Sequence, residues 1–194
     1  MLTEYIKTSP PIKEVTMIIY NIASIRRYMN YSTWKSIANN VHTSLNIMVS
    51  DLTDEIIRDT SKHDIATLFM QLSNLLDKVN DYNDEERGKI CESLELEIYY
   101  RFLCTPYLEK RINGLSFIIE KIAMAKEKDD EDRRLLRGGI RMPYRTDDVA
   151  RWLTSNLLID WMDSHNLIEL IFGEQYHSEL AKRSVDLLKF CYEK

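Results

Sequence analysis

The sequence predicts an all-α chain whose helices pair as antiparallel hairpins stacked into a short α-solenoid of armadillo or HEAT type, with about eight or nine helices. Three observations lead there. Only five glycines and four prolines occur in 194 residues, where average usage would give roughly fourteen and ten. A sandwich or barrel spends such residues on a turn every ten positions or so, and this chain lacks them. Apolar residues recur at steps of three and four along nearly the whole chain, and no segment reads as a convincing strand. Most of the periodic segments are short and closely linked, which suits stacked hairpins better than a four-helix bundle. No clean internal repeat accompanies them. The expected organisation is one helical domain over residues 1–194, interrupted by an exposed charged loop at about 126–146.

Each element has its own signal. Pro10-Pro11 stops the first segment, and Pro11 opens a helix carrying Ile12, Val15, Ile19, Ile22 and Ile25 and ending near Met29. Ser32 or Thr33 is the expected N-cap of the next, with Trp34, Ala38, Val41, Leu45 and Met48 on its stripe. Asp51 is read as the cap of a short helix with Leu52, Ile56 and Ile57. After Asp59-Thr60-Ser61-Lys62 the run Ile65, Leu68, Phe69, Leu72, Leu75, Leu76, Val79 has a strong helical period. A fifth helix runs from about Asp84 to Leu103 with Ile90, Leu94, Ile98 and Phe102. Thr105-Pro106 then reads as N-cap and first residue of a sixth, carrying Leu108, Ile112, Leu115, Ile119 and Ile122.

The segment 126–146 breaks the pattern. Glu127, Asp129, Asp130, Glu131 and Asp132 are followed by Arg133, Arg134, Arg137, Arg141 and Arg145, with Gly138-Gly139 and Pro143 among them. Such composition predicts a solvated loop. Helix resumes at Thr146, breaks near Asp160 or Asp163-Ser164, and continues as a short piece from Leu167 to Phe172 closed by Gly173. The last helix carries Tyr176, Leu180, Ser184, Leu187, Leu188 and Cys191.

Composition excludes several classes. The longest stretch without a formal charge, Ser36 to Ser50, is rich in Asn, Ser and Thr, so no membrane span is expected. The first residues carry neither a basic nor an apolar leader region, which places the chain in the cytoplasm or nucleus by default. The net charge is −5 and the two halves carry no large positive excess, so general nucleic-acid affinity is not expected.

Catalytic and metal signatures are missing. There is no Cys-x-x-Cys, no His-Glu-x-x-His and no phosphate-cradling glycine loop, so neither metal nor cofactor is expected. His42, His63, His165 and His177 are scattered. Cys91, Cys104 and Cys191 sit in apolar helical patterns and read as free, buried thiols; Glu92 and Glu95 beside Cys91 would oppose a thiolate. The arginines at 133, 134, 137, 141 and 145 are the one candidate binding cluster, and a nucleic-acid arm is their alternative reading, weakened by the lack of aromatic residues beyond Tyr144. Within it, Leu136-Arg137-Gly138-Gly139 copies the ending of ubiquitin, a match of only four residues.

Two segments resemble the helical, non-catalytic region of the very large ubiquitin-specific proteases of the fat-facets type. One is Tyr100 to Ile118 (YRFLCTPYLEKRINGLSFI), with its apolar strip, Thr-Pro break, arginine and Gly114-Leu115. The other is Trp161 to Gly173 (WMDSHNLIELIFG), followed by His177 and Lys182-Arg183-Ser184. The resemblance implies structural roles: Trp161, Ile168, Ile171 and Phe172 facing a core, Gly173 as a left-handed cap, and Gly114 allowing close helix approach. The family's protease domain needs a Cys box and a His box, and neither is present. The implied function is therefore a non-catalytic scaffold of a deubiquitinating protease, whose partner is a protein such as a ubiquitinated substrate or the parent's own protease domain.

Overall fold

A computed structural model describes residues 2–77, 79, 83–136, 155–172 and 178–192. Among them the chain is all-helical: ten α-helices and one 3-10 turn, with no strand. It divides into two compact units, Met1–Tyr107 and Leu108–Lys194. The boundary has a local cause. Thr105 takes extended angles (φ −78°, ψ 154°), as a residue before proline prefers, and Pro106 can donate no backbone N–H.

The first unit begins with α1 (Leu2–Lys7), a helix without a sequence expectation, and α2 (Ile12–Ser24). Between them Ser9 lies in the left-handed region at φ 52°, and its hydroxyl donates to the Met48 carbonyl at 3.4 Å. The stripe Ile12, Val15, Ile19, Ile22 is buried as its spacing predicts. The helix stops at Ser24, short of Met29: Ile25 is 43% exposed, and the chain tightens into a 3-10 turn at Arg26–Tyr28. α3 (Tyr31–Ser50) is capped by Asn30, whose side chain accepts from Thr33 N at 2.8 Å. Ser32 and Thr33 therefore lie inside the helix. Asp51 closes α3 and Thr53 caps α4 (Asp54–Asp59), so the expected cap moves two residues.

α5 (Lys62–Leu76) starts with a capping box, in which the Ser61 hydroxyl and Asp64 serve each other's backbone N–H groups. Ser61 N and Ser61 Oγ donate to Asp64 Oδ2 at 2.9 and 2.7 Å, and Lys13 Nζ on α2 lies 3.9 Å from Oδ1. Burial alone would raise the Asp64 carboxyl; the Ser61 bonds and the Lys13 charge outweigh it and hold the group below its ordinary 3.8. A depressed carboxyl stabilises the fold fully above its unfolded value and loses that contribution as pH falls through the folded one. Ser61→Ala is expected to cost about 1 kcal/mol near neutrality. Urea titrations should show the gap to wild type narrowing as pH falls below 3.8; a gap that widens there would contradict this assignment.

α5 buries Ile65, Leu68, Phe69, Leu72, Leu75 and Leu76 and packs on α2, while α1 packs on α3. α6 (Asp84–Cys104) carries the same box at Asn83 and Glu86 and packs against α3 and α5. It contributes Leu94, Ile98 and Phe102, with Tyr99 edge-on to Phe102 at 6.4 Å between ring centroids and its hydroxyl on Glu95.

In the second unit, α7 (Leu108–Leu136) overturns two expectations. Thr105 does not cap it: the residue ends α6, and its hydroxyl is buried without a hydrogen-bond partner among the described residues. Nor does a loop begin at 126, since the helix continues to Leu136. Ala, Met, Lys, Glu, Arg and Leu between 123 and 136 are strong helix formers. Asp129 and Arg133, and Asp130 and Arg134, also stand four apart with the acid first, the order that favours helix. The remainder of the expected loop, 137–146, lies outside the described residues, as does Thr146. The packed stripe of α7 is Gly114, Leu115, Ile118, Ile122 and Ala125; Ile112 and Ile119 stand half-buried at its edge, and Leu108 is exposed. α7 packs against α8 (Ser155–Ser164) and α10 (Ser178–Tyr192), and α9 (Leu167–Phe172) packs against both of these shorter helices.

Candidate functional site

The expected binding cluster is only partly within the structure. Arg133 and Arg134 belong to the last turns of α7, not to a loop; Arg137, Arg141 and Arg145 lie outside the described residues. Of the residues carrying the family resemblance, Gly114 is buried on the packed stripe of α7 and Phe172 closes α9. Gly173 and His177 lie outside the described residues.

Trp161 is half-buried rather than a core residue. Its ring meets that of His165, one turn on, at 4.8 Å with planes 36° apart. Its carbonyl closes α8: it accepts from His165 N at 3.2 Å and from the Ser164 hydroxyl at 2.8 Å, with His165 Nδ1 at 2.9 Å. Asn166 then takes φ 47°, which Asn tolerates, and its carbonyl accepts from Leu170 N at 3.1 Å to start α9. The helix break thus falls at His165–Asn166, past Asp160 and Asp163. The buried residues of this joint are Leu158, Met162 and Leu167. The hydrogen bonds to the Trp161 and Asn166 carbonyls end one helix and start the next, which is structural chemistry.

Two of the three thiols, Cys91 and Cys104, fall among the described side chains. Cys91 is half-buried with Sγ 3.9 Å from the Phe69 carbonyl. Cys104 is exposed, against the expectation of a buried thiol, because α6 ends there with the residue turned off its apolar face. The side chain of Cys191 lies outside the described set. Burial lowers the affinity of His42 for a proton. Among the described residues no group of three or more His, Cys, Asp or Glu could hold a metal ion, and no helix is long and apolar enough to cross a membrane.

A surface that sequence reasoning missed lies where α2 turns into α3. On the outer face of α2, Met17 and Tyr20 stand three apart and are 62% and 57% exposed. The 3-10 turn adds Tyr28, 73% exposed, with the Arg27 guanidinium 4.7 Å over its ring. Tyr31 opens α3 and is also exposed. Beneath, Trp34 is fully buried, and the Arg26 guanidinium sits 5.3 Å from its ring centroid. Arg26 Nη1 reaches the Met29 carbonyl at 3.4 Å, and neither Arg26 Nε nor the Trp34 indole N–H has a hydrogen-bond partner among the described residues. Each cation holds against an aromatic face, an attraction of about 0.5–1 kcal/mol where exposed. Tyrosine and arginine together are the composition of interface anchors.

One sequence signal could have found it. From Val15 through Ser50 the chain has no Asp or Glu, yet it carries Arg26, Arg27 and Lys35 and four of its aromatic residues. The flanking Glu14 is engaged, accepting the Tyr5 hydroxyl at 2.5 Å. No protein-family model matches the chain, and neither does any curated protein or solved structure at a significant score.

Proposed function

We propose that this chain is a non-catalytic helical scaffold that binds protein, of the kind found in the helical regions of the very large ubiquitin-specific proteases, acting in the cytoplasm or nucleus. The observation that carries the reading is the exposed surface of Met17, Tyr20, Arg27, Tyr28 and Tyr31. Exposed tyrosines beside an arginine are the residue types that anchor protein interfaces, which supports a binding role for this part of the first unit. The finer architecture belongs to the same proposal: hairpins stacked as a short armadillo-like solenoid. Neighbouring pairs such as α5–α6 and α8–α9 favour it, whereas α2 with α5 passes over the helices between them. The partner on this reading is a ubiquitinated substrate or a protease domain carried by the same parent chain.

Absence of catalysis is tested with a ubiquitin-aldehyde type probe. Incubated with the isolated chain, it is expected to leave Cys91, Cys104 and Cys191 unlabelled by mass spectrometry. Specific labelling of any of the three would replace the scaffold reading with an enzymatic one.

A further inference from the structure

We infer that the surface at the α2–α3 turn docks an acidic linear segment of a partner protein, with carboxylates meeting Arg27 and Arg26 and an apolar side chain resting on Tyr20, Tyr28 and Met17. The inference rests on the interaction-module reading and adds the chemistry of the occupant.

Charge complementarity selects that chemistry. The chain as a whole carries −5, so a run of 36 residues, 15 to 50, without one carboxylate is a local inversion. Three acids of the first unit are engaged elsewhere: Glu4 pairs with Lys7 at 2.7 Å, Glu14 takes the Tyr5 hydroxyl, and Asp64, on the helix packed against α2, is held by Ser61 and Lys13. Arg27 is exposed with its guanidinium over the Tyr28 ring, and the planar, weakly hydrated guanidinium matches a carboxylate. The Arg26 guanidinium, pinned over Trp34, spends one donor on a 3.4 Å contact with Met29. A bidentate carboxylate uses the planar donor geometry of such groups best.

Single-stranded nucleic acid is the other polyanion that meets aromatic rings. It is disfavoured because Arg27 already covers one face of Tyr28, and because a chain of net −5 repels a long phosphate backbone.

The test pans a random twelve-residue peptide library against the whole chain and measures the best peptides by fluorescence polarisation on wild type, Arg27→Glu and Tyr28→Ala. Both substitutions are at exposed positions, and unchanged far-UV circular dichroism verifies folding. The expected result is selection of peptides with net negative charge, weakened about tenfold or more by Arg27→Glu. Acidic peptides that bind Arg27→Glu as well as wild type overturn the inference. So do neutral or basic winners lost on Tyr28→Ala, which leave the interaction module standing with a different occupant. An oligouridylate that binds while no peptide does overturns both the inference and the module reading.

Discussion

Replacing Trp34 with alanine is expected to destabilise the first unit by about 3–5 kcal/mol, the cost of emptying a large, fully buried aromatic site. Trp34 is 1% exposed on α3, beneath the turn that carries the proposed docking residues. Its loss removes core contacts and the seat of the Arg26 guanidinium together. Trp34→Phe separates these contributions. Phenylalanine keeps most of the buried area and the aromatic face, and it deletes an indole N–H that has no hydrogen-bond partner among the described residues, whose desolvation costs about 1–3 kcal/mol. The phenylalanine variant should therefore lose less than half of what the alanine variant loses. Urea unfolding followed by circular dichroism at 222 nm checks both. An alanine variant within about 1 kcal/mol of wild type would mean that Trp34 is not a packed core residue.

The second large effect concerns the charged run of α7. Glu127→Pro is expected to cost about 3 kcal/mol or more and to lower helical ellipticity, because proline inside a helix removes a backbone bond and clashes with the preceding turn. Glu127→Ala, which removes the same charge, should stay within about 0.5 kcal/mol. Two variants that behave alike would restore the loop that composition predicts for 126–136 and contradict the helix that runs to Leu136.

These two residues also mark where the sequence was legible and where it was not. The buried stripes of α2, α3 and α5 follow from spacing alone, since Ile12 to Ile22, Trp34 to Met48 and Ile65 to Leu76 each keep one helix face apolar for three turns or more. Helix ends were harder. Asn30 and Thr53 cap where Ser32, Thr33 and Asp51 were equally plausible, because short polar side chains near a terminus differ only by which one reaches a free N–H. At the end of α7 density of charge suggests solvent, and a solvated helix whose acids precede its arginines by four residues looks the same in composition as a loop. The resemblance implies a core role for Trp161, which is half-buried and whose carbonyl serves a helix end.

The α2–α3 surface escaped for a different reason. Met17, Tyr20 and Tyr28 are scattered apolar residues in the sequence, and single exposed apolar residues are ordinary. Only the 3-10 turn, which interrupts the helix expected to reach Met29, brings Arg26 over Trp34 and Arg27 over Tyr28. The signal that was present is an absence, the missing carboxylates between Glu14 and Asp51.

That surface is the central claim, and hydrogen–deuterium exchange of the whole chain with and without the tightest peptide from the panned library tests it most directly. The account predicts slowed exchange confined to residues 17–35 at the end of α2, the turn and the start of α3. Slowing confined to 108–136 or 155–172, with 17–35 unchanged, would contradict it.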